Sequence, residues 1–139
     1  MIDTVRKLVF ILFVSALPLA TLAAEANWVS VGEEVITHVD AAEKAYLAGE
    51  QKQAKRSVVR AYFGVFEDRK MEAAMRMELG AKHTYLVERQ FGALRKAIQK
   101  DAGSIEVAQI AEGIRVAMRR DALLIDQAGI PLEVFKVNQ

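Results

Sequence analysis

From residue 27 onward, apolar positions recur at steps of three and four instead of alternating. In residues 27–49, Trp28, Val31, Val35, Val39, Ala42 and Tyr46 form one stripe when projected at about 100° per residue, which predicts an amphipathic helix. Gly49 stands where a left-handed C-terminal cap is wanted. A second helix is expected over residues 50–80, with Ala54, Val58, Ala61, Tyr62, Val65 and Phe66 on its apolar face and Lys52, Arg56 and Arg60 opposite. Gly80 limits it. The third helix runs to Lys100 on the stripe Val87, Phe91, Leu94 and Ile98, and Asp101, Ala102 and Gly103 make a turn. Ser104 is the expected N-cap of the fourth, with Glu106 one position short of a capping-box glutamate. That helix carries Val107, Ala111, Ile114, Met118 and Ile125 and ends at Gly129-Ile130-Pro131, Pro131 being the only proline after residue 26. Four similar stripes joined by short turns predict an all-α fold, an up-down-up-down four-helix bundle.

Polar residues interrupt these stripes in three places. An unbroken second helix puts Asp68 and Glu72 beside Met75 and Leu79 on the buried side, where a lone carboxylate is costly. Either the helix kinks or breaks near residues 64–70 and resets its phase, or the carboxylates have cationic or metal partners. On the third helix His83 falls near the extension of the stripe and Glu88 lies at its edge. On the first, Glu34 and His38 are four apart and could reach one ion. Carboxylate and imidazole ligands suit divalent iron, manganese or zinc; solvation and ion pairing are the ordinary roles of such residues. Met71 and Met75 share one side and are read as core filling, because methionine adapts to irregular gaps.

The first 26 residues differ in kind. Arg6 and Lys7 precede an uncharged apolar stretch, interrupted by Pro18, that closes on Ala23, Ala24 and Ala26. This is the pattern of a signal peptide, with cleavage expected after Ala24 or Ala26. The alternative is an uncleaved anchor, since the stretch is near the lower limit of about 17 to 25 apolar residues for a spanning helix. The domain organisation expected is thus a signal peptide over residues 1–26 and one periplasmic domain over residues 27–139. No later stretch reaches spanning length, so a role in transport would be an accessory one.

With 19 basic against 18 acidic residues, nothing favours a polyanion, and nucleic acid is not an expected partner. Cysteine is absent, which removes thiolate chemistry, disulfides and covalent haem attachment and leaves oxygen, nitrogen or thioether ligands for any metal. There is no Gly-x-Ser-x-Gly elbow, phosphate-binding glycine loop, His-Glu-x-x-His pair or Glu-x-x-His di-iron spacing. An enzyme is not expected.

Two segments carry a family resemblance. In residues 61–75 an aromatic pair, Tyr62 and Phe63, is followed by Phe66-Glu67 and, after a short break, by Met71, Glu72 and Ala73. In residues 86–98 Glu88 precedes Phe91 and Leu94-Arg95. This order resembles the extracytoplasmic N-terminal domain that precedes the membrane part of bacterial high-affinity iron permeases of the FTR type, and the likeness extends from about Trp28 to Gln139. It implies a periplasmic domain that captures ferrous iron or relays it to a membrane permease part or a separate iron permease, working with a periplasmic iron- or copper-binding protein. It also implies Glu67, Glu72 and Glu88 as iron-handling carboxylates; His83 is added from the stripe argument. The family's transport motif, Arg-Glu-x-x-Glu, is missing, because no Arg-Glu dipeptide occurs in the chain. Permease activity is therefore not expected in this chain. Two other readings remain at this stage: a periplasmic four-helix b-type cytochrome holding haem between methionine and histidine side chains, and a metal-free docking module that uses the face with Lys52, Arg56 and Arg60.

Overall fold

The computed structural model describes residues 27–135, with side chains through Glu133. The expected signal peptide over residues 1–26 lies outside the described residues. Among the described residues the chain is all-helical. It contains α1 (Trp28–Leu47), α2 (Gln51–Val59), a π-helical run (Arg60–Glu67), α3 (Met71–Leu79), α4 (Ala81–Lys100), α5 (Ser104–Gln127) and a closing 3-10 turn (Leu132–Phe135). None of these helices is long and apolar enough to cross a membrane.

The stripes read from the sequence are the buried faces. Trp28, Val31, Val35, Val39 and Ala42 of α1 meet Val107, Ala111, Ile114, Met118 and Ile125 of α5 in one core, closed by Val87, Phe91, Leu94 and Ile98 of α4. Alpha1 packs most extensively on α5 and α2, and α4 packs on α5, α2 and α3. The α1–α5 approach is close because Gly32 faces Met118 and Ala122. A Cβ at Gly32 would stand 3.1 Å from the Ala122 Cβ and 3.3 Å from the Met118 carbonyl oxygen.

Both ends of the domain are pinned by long-range hydrogen bonds. At one end the Trp28 indole N–H donates to the Ile130 carbonyl at 2.6 Å, while the Asp126 carboxylate accepts from the Trp28 and Val29 backbone N–H groups at 2.8 and 2.9 Å. A carboxylate from α5 thus caps the first turn of α1, where the helix dipole favours negative charge. Asn27 and Ser30 add a reciprocal capping box. At the other end the Tyr46 hydroxyl donates to Asp101 at 2.6 Å and accepts from the Gly103 N–H at 3.0 Å, which locks the α4–α5 turn to α1. The Asp101 carboxylate raises the pKa of that phenol. The N-cap of α5 is Gly103, at φ 97 and ψ 155, and Ser104 is already the first helical residue. The expected Ser104 cap is corrected on this point: Tyr46 holds Gly103 in a conformation only glycine adopts easily.

The second helix departs most from expectation. It is not one helix but α2, the π-helical run and, after a turn over residues 68–70, α3. The interruption falls where the stripe would have buried two carboxylates. Wider π turns and a left-handed Lys70, φ 65, reset the phase so that Met71, Ala74 and Met75 face the core. Asp68 is left exposed and Glu72 half-buried. Met71 and Met75 are both fully buried in the core. Lysine at positive φ is strained. Lys70→Gly is therefore expected to stabilise the domain by about 0.5 to 1 kcal/mol, read as a higher urea midpoint at unchanged slope; a loss of stability would show that the turn is not strained.

Candidate functional site

The π-helical run is held by aromatic packing. Tyr62 and Phe66 both reach Phe91 on α4, with ring centroids 5.4 Å apart in each case, and Tyr62 stacks edge-on against Phe63 at 4.7 Å. A π segment interrupts regular helix packing and is often found at functional sites. Here it delivers α3 alongside α4 with Glu72 and Glu88 facing the same guanidinium. Arg76 donates through one Nη2 to Glu72 at 2.6 Å and to Glu88 at 3.3 Å. The two carboxylates retain 21% and 18% of their side-chain exposure, whereas Arg76 retains 52%. The anions are thus fixed beside the core while their cation reaches into solvent.

The electrostatics follow from that placement. Burial raises the Glu88 pKa above its ordinary 4.5, its hydrogen bond and charge repulsion with Glu72 raise it further, and Arg76 only partly opposes them. Tyr62 is likewise raised, first by burial and then by the charges of Glu88, Glu72 and Glu67. Because the folded pKa of Glu88 is raised, this group favours the folded state most below its unfolded value. Its contribution declines as pH rises from 4.5 through the raised pKa.

The sequence-predicted residues do not form one cluster. Glu72 and Glu88 come together. Glu67 is exposed on the shelf it lines with Lys70, Glu72, Ala73, Arg76 and Met77. His83 turns to α5, where its Nε2 lies 2.8 Å from the Asp121 Oδ2. The same nitrogen lies 3.3 Å from the Arg120 Nη2, so it faces an acceptor and a donor at once. Arg120 donates to both Asp121 oxygens, at 2.7 and 3.2 Å, and its own pKa is raised by that bond. Glu34 is paired with Arg69 at 2.7 Å, and His38 lines a separate recess with Gln53, Arg56 and Ser57. Among the described residues no three His, Cys, Asp or Glu side chains are grouped so as to hold a metal ion.

Asp121 was not picked out in the sequence although it is fully buried. The signal was present, since position 121 continues the α5 stripe three residues beyond Met118 and four before Ile125. Arg115 was missed as well. It joins α1 and α5 through Asp40, Glu43 and Glu112; burial lowers its pKa, but these three acceptors more than reverse the effect.

Next to Glu88 a cleft of about 220 Å³ opens between α2 with the π-helical run and α4, lined by Val58, Tyr62, Phe63, Phe91, Gly92 and Arg95 among others. Two carboxylates and a nearby phenol make an oxygen-rich set, the kind of donor that hard cations take. Two fixed carboxylates fall short of a cage. Comparison with known proteins found no family model, no curated protein and no solved structure that matches this chain.

Proposed function

We propose that this chain is the extracytoplasmic accessory domain of a ferrous-iron uptake permease, capturing the ion weakly at Glu72 and Glu88 and passing it on. The fold in this reading is an up-down-up-down four-helix bundle in which α2, the π-helical run and α3 make one bent second rod. The observation that carries the proposal is the sharing of a single Arg76 nitrogen by two half-buried carboxylates. Arg76 occupies the place of a cation and is exposed enough to leave it. A hydrated ferrous ion arriving from solvent displaces the guanidinium, takes one oxygen from each carboxylate and keeps its remaining waters. The return of Arg76 expels it. No electron moves and no covalent bond to the protein forms. The resemblance of residues 61–98 to the domain preceding iron-permease pores supports the choice of iron, and the signal-peptide pattern of residues 1–26 supports a periplasmic setting. The receiver is a membrane permease, and the donor a periplasmic iron- or copper-binding protein.

Removing the competing cation tests this exchange. Arg76→Gln is expected to tighten ferrous binding to residues 27–139 by up to about fivefold in anaerobic calorimetry, because the ion no longer displaces an ion pair worth up to about 1 kcal/mol. Unchanged or weaker binding would show that Arg76 and iron do not compete for the same oxygens.

A further inference from the structure

A second surface has charge without partners. Lys52, Lys55 and Arg56 of α2, Arg60 of the π-helical run and Arg95 of α4 line one face together with Val59, Phe63 and Gly64. Five arginines elsewhere on the domain are matched by acids, Arg69 by Glu34, Arg76 by Glu72 and Glu88, Arg115 by three acids, Arg119 by Glu33 and Arg120 by Asp121, while Arg89 lies over the Tyr85 ring. None of the five cations on this face lies within 4.0 Å of a carboxylate among the described residues. Arg56 engages only the Gln53 amide. In the middle of the face stands Phe63, 58% exposed, beside the cleft that it shares with Tyr62 and Phe91. Gly92 leaves the cleft floor open, since a Cβ there would meet nothing within 4 Å. An apolar slot lined by both Arg95 and Glu88, and continuous through Phe63 with a face of unmatched cations, is the anatomy of a recognition surface.

We propose that this face docks an acidic segment of a partner protein, with one large apolar side chain of that segment in the cleft beside Phe63 and its carboxylates on Lys52, Lys55, Arg56, Arg60 and Arg95. Charge complementarity gives the sign of the partner, and the cleft supplies the anchor that distinguishes a protein segment from a simple polyanion. Position gives the direction of approach. The bonds from Trp28 to Ile130 and Asp126 put the start of α1 and the end of α5 together at one end. The bonds from Tyr46 to Asp101 and from Gln51 to the Ile98 carbonyl mark the opposite end. The basic face begins there, at Lys52, roughly the 30 Å length of α1 away from Trp28. Among the described residues the face therefore starts at the end opposite Trp28. The proposal does not rest on iron binding.

The test places p-benzoylphenylalanine at Phe63 in the full chain, irradiates producing cells, and sequences the peptide attached. Expected is a protein adduct whose attached segment is rich in Asp and Glu and bears an aliphatic or aromatic residue at the point of attachment. Arg56→Glu with Arg60→Glu should reduce its yield at least about tenfold. Gly92→Leu, which fills the cleft without changing charge, should reduce it as well and guards against a charge-reversed chain that fails to fold. An adduct to lipid, to a second copy of the chain or to a segment without excess acid would overturn the proposal. So would a yield no higher than that from the same probe at Leu123, which is exposed on α5 outside this face.

Discussion

Trp28→Ala is expected to destabilise the domain by about 3 to 5 kcal/mol. The side chain is fully buried, so its removal forfeits a large apolar area and leaves a cavity between α1 and the end of α5. It also removes the indole N–H that holds the Ile130 carbonyl at 2.6 Å. That bond closes the chain over the bottom of the core, where Ile130 and Leu132 pack against it. The Asp126 cap remains, because it uses the Trp28 backbone N–H rather than the ring. Trp28→Phe keeps most of the apolar ring and loses the hydrogen bond with a smaller part of the packing, so a loss of about 1 to 2 kcal/mol is expected. Urea unfolding gives both values. A cost under about 1 kcal/mol for alanine would mean that this end is not packed as described.

The second large effect concerns Glu72 and Glu88. Replacing both by glutamine is expected to weaken ferrous binding at least about tenfold, because a neutral amide oxygen is a poor substitute for a carboxylate toward a divalent cation. The same change should not weaken the fold. Two anions on neighbouring helices repel, and Glu88 is held partly against its preference for the neutral form. Glutamine keeps a hydrogen bond across the gap and ends the repulsion. A small gain, below about 1 kcal/mol at neutral pH, is expected, since the loss of the Arg76 pairs offsets part of it. The sign of the pH dependence is fixed by the raised pKa of Glu88. The advantage of the glutamine pair over the parent appears as pH rises above 4.5 and fades below it, where the Glu88 carboxyl is neutral in both folded and unfolded chains. Ferrous affinity of the parent moves the other way, falling as the solution is acidified through that range, because protons compete for the same oxygens. A site that costs stability while serving a ligand is the usual trade between function and fold.

The all-helical architecture was legible because burial in helices writes itself at steps of three and four. Val87, Phe91, Leu94 and Ile98 were predicted and are buried, and the same holds for Val107 through Ile125 on α5. The approximate break in the second helix was legible too, from the cost of burying Asp68 and Glu72. Its form was not. A π-helical run over Arg60–Glu67 depends on what the aromatic rings meet, and Phe91 lies on another helix. Local propensity carries no record of that contact. Lys70 at positive φ was invisible for the same reason, since lysine is not a residue that announces a left-handed turn.

The candidate site was half legible. Glu72 and Glu88 were named, but the residue that joins them, Arg76, was not, because a cation on an exposed helix face is usually only solvated. His83 was placed in the wrong company by its stripe position. Its partner, Asp121, is an acid on the core stripe of another helix, α5. Pairing between helices depends on rotation and register. Single-helix projections supply neither.

The measurement that tests the central claim most directly is an anaerobic calorimetric titration of ferrous iron into residues 27–139, run beside the Glu72→Gln, Glu88→Gln variant at neutral pH. The account predicts one weak site, with a dissociation constant on the order of 10⁻⁴ M, in the parent, and loss of that heat in a variant that melts no lower than the parent. Equal heats in the two proteins, or no binding by a folded parent, would contradict it.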